Sequence, residues 1–140
     1  MDAFDADVLI YAAEPGHPLG RDVAALFAAT SATGSFPVGV GSVLLLPEVL
    51  SKPLREGATD QGRVLARFLA RLDLLPVDRP TAELAVSLGS AYRLRAADAV
   101  HLATAVAAGA DRFLTNNRRD VPLDIEEIEI VYPEMLDGSG

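Results

Sequence analysis

Hydrophobic residues recur at helical spacing in four stretches of the chain, with short apolar runs between them. The helical stretches are 19–30, 64–72, 84–92 and 96–108. The short runs with strand character are 3–4, 36–40, 74–77, 112–115 and 128–132. Strands that alternate with such helices favour a parallel sheet with crossover helices. We therefore predict an α/β fold, with a central and mostly parallel sheet of four to five short strands flanked by helices.

Two residues mark the ends of predicted helices. Gly109 follows the fourth helical stretch, where a glycine in the left-handed conformation often ends a helix. Pro47 predicts the start or the bend of a further helix, because proline disrupts the interior of a straight one.

Length and composition indicate one domain. The chain has 140 residues, of which 50% are hydrophobic and 23% charged, so a single core is expected and a disordered chain is not. We place the domain at residues 1–135 and expect a flexible tail at 136–140. The formal net charge of −8 argues against a protein that coats DNA without sequence preference.

The residue types present restrict the possible chemistry. The chain has no cysteine and two histidines, which excludes thiolate sites and nearly excludes an all-histidine zinc site. Any bound metal therefore needs oxygen ligands. The acidic N-terminus does not resemble a secretory signal, and no apolar stretch is long enough to span a membrane. We expect a soluble, cytoplasmic protein.

Three carboxylates stand where ligands bind in parallel α/β sheets, beyond the carboxyl ends of strands. Asp5 directly follows the first strand, Glu48 comes shortly after the second, and Asp98 lies in the first turn of a helix. Glu48 and Asp98 each have a structural alternative, since Glu48 could point outward and Asp98 could serve only its helix start. We interpret His101, one turn after Asp98, as a packing residue rather than a base.

Polar residues also follow the fourth strand, from Thr115 to Asp120. Hydroxyl, amide and guanidinium groups there could form the rim of a phosphate site. The same residues could equally form a simple turn, because Asn-Asn favours one without any function.

Taken together, these segments resemble the PIN domain, the nuclease family that includes the VapC-type toxins. The opening segment Asp5-Ala6-Asp7-Val8-Leu9-Ile10 is similar to the family's first motif. Pro47-Glu48-Val49-Leu50, residues 97–105 and Phe113-Leu114-Thr115-Asn116-Asn117-Arg118 are similar to the three that follow. Each motif alone is weak, but their order and spacing agree from about residue 2 to residue 132.

The resemblance implies Mg²⁺ or Mn²⁺ as cofactor, cleavage of RNA phosphodiester bonds, a homodimer and a small protein antitoxin as partner. Asp5, Glu48 and Asp98 match the family's acidic metal-site positions, so we assign them metal-binding and catalytic roles. Possible accessory residues are Asp7, Thr115, Asn117 and Asp120. Possible contacts to RNA phosphates are Arg95, Arg118 and Arg119, because the planar guanidinium group suits phosphate.

One position departs from the family pattern. Asn117 stands where the family usually has aspartate, so the closing motif offers one carboxylate fewer. Asp120 or Asp7 could replace it. We predict activity that needs Mn²⁺ or high Mg²⁺, or no activity, because a second cation would bind more weakly.

Two alternatives remain open at this point. The chain could be a PIN-like module that binds a partner after losing its chemistry with the fourth carboxylate. It could also be a haloacid-dehalogenase-like phosphatase, since Phe4-Asp5-Ala6-Asp7 fits that family's Asp-x-Asp nucleophile motif. The residues that follow Asp7 do not match the phosphatase pattern, and the single lysine is Lys52.

Overall fold

The computed structural model describes residues 1–34 and 36–136. In the tail that we expected at 136–140, Leu136 is buried in the core, and residues 137–140 lie outside the described residues. Within the described ranges, no helix combines the length and the apolar character that crossing a bilayer requires.

Strands and helices alternate along most of the chain. The strands are β1 (Asp2–Phe4), β2 (Gly39–Ser42), β3 (Leu72–Leu75), β4 (Arg112–Leu114) and β5 (Glu129–Val131). The helices are α1 (Ala6–Ala13), α2 (Arg21–Thr33), α3 (Leu45–Glu56), α4 (Thr59–Ala70), α5 (Arg79–Tyr92) and α6 (Ala96–Ala107), followed by a short 3₁₀ helix at Pro133–Met135. The predicted α/β class is confirmed.

The five strands form one sheet in the order β3-β2-β1-β4-β5, and every neighbouring pair is parallel. The next two strands in sequence, β2 and β3, lie on one side of β1, and the last two, β4 and β5, lie on the other side. This reversal makes the carboxyl end of β1 the topological switch point, where parallel sheets open a crevice for ligands.

A hydrophobic core lies on each face of the sheet, because successive strand residues point to opposite faces. Phe4 and Leu114 belong to the core that α1 to α4 cover, whereas Ala3 and Phe113 belong to the core beneath α5 and α6. In the first core, the ring of Phe27 lies 5.3 Å from that of Phe4, measured between centroids. The strands that position the site are thus buried on both faces.

Two strand boundaries predicted from sequence are wrong by two or three residues. The second strand begins at Gly39 rather than at Phe36, whose side chain is 65% exposed. The third strand begins at Leu72, which we had counted as the last position of a helix, while α4 ends at Ala70. A single buried leucine fits either period, so the pattern could not separate the helix end from the strand start.

Both predicted helix-end residues are confirmed. Gly109 has a φ of 72°, in the left-handed region, directly after α6 and its cap. Pro47 lies in the first turn of α3, where the missing N–H costs no helical hydrogen bond.

Candidate active site

Asp5 lies at the switch point and begins α1. Its side chain accepts a hydrogen bond from the backbone N–H of Ala6 at 2.8 Å and one from the hydroxyl of Thr115 at 2.7 Å. Its own N–H donates to the carbonyl of Leu114 at 2.9 Å, which ties the end of β1 to β4. Because Asp5 is only 6% exposed, these donors hold a carboxylate that water barely reaches.

Asp7 lies beside Asp5 in the first turn of α1. Its two carboxylate oxygens accept hydrogen bonds from the backbone N–H of Asn116 at 3.1 and 3.2 Å. Burial and, after it, the negative charges of Asp5 and Asp98 together raise the pKa of Asp7 to about 7, although backbone hydrogen bonds from Asn116 and Val8 lower it. Asp5, Asp7 and Asp98 therefore lie close enough for their charges to interact.

Asp98 enters this region from the first turn of α6. The side-chain amide of Asn117 donates a hydrogen bond of 3.2 Å to one of its oxygens. Burial and the charge of Asp5 raise the pKa of Asp98, and the nearby charge of Asp120 adds to the effect. Asn117 therefore steadies one carboxylate of the cluster where a fourth carboxylate would repel it.

Glu48 and His101 form a hydrogen-bonded pair between α3 and α6. Nε2 of His101 lies 2.9 Å from Oε1 of Glu48. The histidine side chain is 1% exposed and the glutamate side chain 35%. One ligand-capable atom from each of Asp5, Glu48 and His101 lies within 4.8 Å of the others.

The sequence interpretation treated His101 as a packing residue, and the structure buries its ring and also places its Nε2 against Glu48. Its spacing of three from Asp98 placed both side chains on one face of a helix, and that was the available signal. The carboxylate that it meets, Glu48, is 53 residues away in sequence.

Among the other candidates, Thr115 is part of the carboxylate cluster, whereas Arg95 and Arg119 are exposed. Thr115 is fully buried against Asp5. Arg95 is exposed, and its Nε lies 3.9 Å from the carboxylate of Asp120. Arg119 is also exposed.

Arg118 has local partners that compete with an RNA role. It forms an ion pair with Glu134 and donates a hydrogen bond of 3.3 Å to the side chain of Asn116. Its guanidinium carbon lies 5.0 Å from the ring centroid of Tyr132, in cation–π geometry. The guanidinium group of Arg118 therefore already has partners within the chain, which compete with an RNA phosphate.

The donor set fits a hard divalent cation. Carboxylate oxygens predominate, and Mg²⁺ and Mn²⁺ prefer oxygen ligands. Burial and, after it, the charge of Asp5 raise the pKa values of Asp7 and Asp98, and a bound cation would favour the charged form of both carboxylates.

The chain is similar to solved structures over nearly its whole length. A chain of a toxin–antitoxin complex from Klebsiella pneumoniae is 22% identical with a TM-score of 0.65, and the match covers 95% of this chain and 98% of that one. VapBC2 from Rickettsia felis, bound to a DNA fragment from its promoter, is 16% identical with a TM-score of 0.69, covering 94% and 97%.

At these identities the structural similarity establishes the fold alone. A comparison with the curated proteins finds no match. The family model of the PIN domain matches residues 3–124, which include the candidate residues from Asp5 to Asp120. This protein belongs to the PIN domain family.

Proposed function

We propose that this protein is a metal-dependent endoribonuclease that hydrolyses RNA phosphodiester bonds, and the toxin of a prokaryotic toxin–antitoxin pair. The observation that carries the proposal is the convergence of Asp5, Asp7 and Asp98 at the switch point, where burial and, after it, the charges of Asp5 and Asp98 raise the pKa of Asp7 to about 7. Membership in the PIN domain family, whose members are generally nucleases, supports the same conclusion.

Asp5, Glu48 and Asp98 would hold Mg²⁺ or Mn²⁺ in this proposal. A divalent cation bound there would stabilise charge on the phosphate and lower the pKa of a bound water molecule. The chain's own residues orient the carboxylates beforehand: Thr115 donates to Asp5 and Asn117 donates to Asp98. Fixed donors of this kind reduce the reorganisation that the site needs during the reaction.

The net charge of −8 makes local basic residues necessary for attracting RNA. Arg95 is exposed and lies 3.9 Å from Asp120, and Arg119 is exposed and precedes Asp120 in the chain, so these two arginines are the candidates for phosphate contacts. Arg118 contributes less in this proposal, because Glu134 already pairs with it.

The proposed partners are a small protein antitoxin and a second copy of the chain. The two structural neighbours are toxin–antitoxin complexes, which supports the first partner. Light scattering of the purified chain checks for the homodimer by its mass.

RNA cleavage by the purified protein tests the proposed activity. A pool of structured and single-stranded RNAs is incubated with Mn²⁺ or Mg²⁺, and EDTA should abolish cleavage. Asp5→Asn and Asp98→Asn should cleave nothing while unfolding cooperatively like the wild type. Asp73→Asn changes the net charge equally at an exposed position on β3, and it should remain active. Equal cleavage by all four proteins would contradict the proposal.

A second candidate function is a partner-binding module with little or no chemistry. Asn117 favours it, because an amide stands where the resemblance leads us to expect a carboxylate. Mn²⁺ binding too weak to detect, together with no cleavage, would support this module. The phosphatase alternative has no support from the family match, and trapping a phosphoaspartate on Asp5 would be needed to revive it.

A further inference from the structure

His101 reaches Glu48 from a helix that is packed into the core. Its neighbours on α6, Leu102 and Ala103, have no exposed surface, so the helix is held firmly by the core. Glu48 is exposed and has a long side chain with several rotatable bonds. Left without a partner, such a side chain would sample many orientations in water.

The hydrogen in this contact belongs to the histidine. A carboxylate oxygen only accepts, so Nε2 of His101 donates to Oε1 of Glu48. Nδ1 of the same ring is buried and has no hydrogen-bond partner among the described residues. A hydrogen on Nδ1 would therefore be a buried donor without an acceptor, so the tautomer that carries its hydrogen on Nε2 is favoured.

We propose that His101 is a positioning residue, which holds the Glu48 carboxylate toward Asp5 so that the pair is oriented before a cation binds. This inference rests on the proposed function, because it assumes that Glu48 is a metal ligand. Three observations carry it: the 2.9 Å hydrogen bond, the burial of the ring, and the ligand-capable atoms of Asp5, Glu48 and His101 that lie within 4.8 Å of one another.

Substituting His101 separates this role from simple packing. His101→Leu keeps an apolar side chain but removes the donor, whereas His101→Gln keeps an N–H that can reach a carboxylate. Mn²⁺ affinity is measured from the free-ion signal in electron paramagnetic resonance. Loss of such an outer partner typically weakens metal binding about 10- to 100-fold, which we expect for His101→Leu, with recovery in His101→Gln.

The chain's other histidine provides the control. His17 lies between α1 and α2, where its ring stacks on Tyr11 with centroids 4.4 Å apart. His17→Gln should bind Mn²⁺ with the affinity of the wild type. Unchanged Mn²⁺ binding in His101→Leu would overturn the inference.

The competing assignment is that Nε2 of His101 binds the cation directly. Protein labelled with ¹⁵N-histidine and loaded with Mn²⁺ distinguishes the two, because a directly bonded nitrogen gives a strong hyperfine coupling. A strong coupling that is lost in His101→Gln but kept in His17→Gln would overturn the positioning role. Only weak coupling, from a nitrogen beyond the first ligands, is expected.

The inference and the proposed function fail in different ways. Mn²⁺ binding that depends on His101, without any RNA cleavage, would support the positioning role and contradict the proposed nuclease activity. A wild-type protein that binds no Mn²⁺ would contradict both the positioning role and the proposed nuclease activity. If His101→Leu does not fold, nuclear magnetic resonance of the metal-free protein tests the positioning role instead. The resonance of the Nε2 proton of His101 should shift in Glu48→Gln. An unchanged resonance would overturn the inference.

Discussion

The hydroxyl of Thr115 donates a 2.7 Å hydrogen bond to the carboxylate of Asp5, across 110 residues of sequence. Both side chains are buried, and they follow the neighbouring strands β4 and β1. The bond therefore joins the two strand ends that form the switch point, and it fixes one oxygen of the most buried carboxylate of the site.

Thr115→Val should weaken both the fold and the site. Valine keeps the shape of threonine but leaves an oxygen of Asp5 without its donor, which should cost about 1–3 kcal/mol of unfolding free energy. Denaturant unfolding with EDTA measures the loss, and Mn²⁺ titration should show weaker binding. Thr104→Val is the matched control, because its buried hydroxyl donates only within α6, to Val100. Equal Mn²⁺ affinity in both variants would contradict the prediction.

Asn117→Asp should lower the stability of the metal-free protein and raise its metal affinity. The change removes the amide that donates to Asp98 and places a second negative charge there, so the metal-free protein should unfold more easily. With Mg²⁺ or Mn²⁺ bound the added carboxylate becomes favourable, and cleavage at low Mg²⁺ should increase. Asn116→Asp makes the same substitution one position earlier and should not raise activity. Full wild-type cleavage at low millimolar Mg²⁺ would show that Asn117 costs nothing.

Asp7→Asn should change how stability depends on pH. The folded protein binds the Asp7 proton up to about pH 7, whereas the unfolded chain releases it near the ordinary value of 3.8. The stabilising effect of this proton is complete below about pH 4 and is lost as pH rises through 7. The asparagine variant should therefore be more stable than the wild type at pH 8, by about 1–3 kcal/mol in EDTA, and similar at pH 4. Parallel pH profiles for the two proteins would contradict this.

Arg119→Ala should weaken RNA binding more than Arg118→Ala. Arg119 is exposed, whereas Arg118 is engaged by Glu134 within the chain. Losing one phosphate contact should lower the slope of log affinity against log salt by about one unit, and it should raise KM rather than lower kcat. Arg79→Ala, at the start of α5, removes an exposed arginine that pairs with Glu83, and it serves as control. A larger salt effect in Arg118→Ala would reverse the assignment.

Local patterns predicted the architecture because periodicity is a local property. Helical spacing and short apolar runs placed the five strands and the helices α2, α4, α5 and α6 in the correct order, and the parallel sheet followed from their alternation. The periodicity gave a wrong boundary at Leu72, where one buried leucine fits a helix end and a strand start equally well.

The amino-acid sequence by itself determined which residues follow each strand, and hence that Asp5 and Thr115 stand at strand ends. Only the tertiary structure decided which groups meet. It brought Glu48 to His101 across 53 residues and turned Arg118, a neighbour of the site in sequence, toward Glu134. The physical reason is that hydrogen bonds and ion pairs depend on distances of a few ångströms between side chains, which strand order and packing set and which sequence spacing does not record.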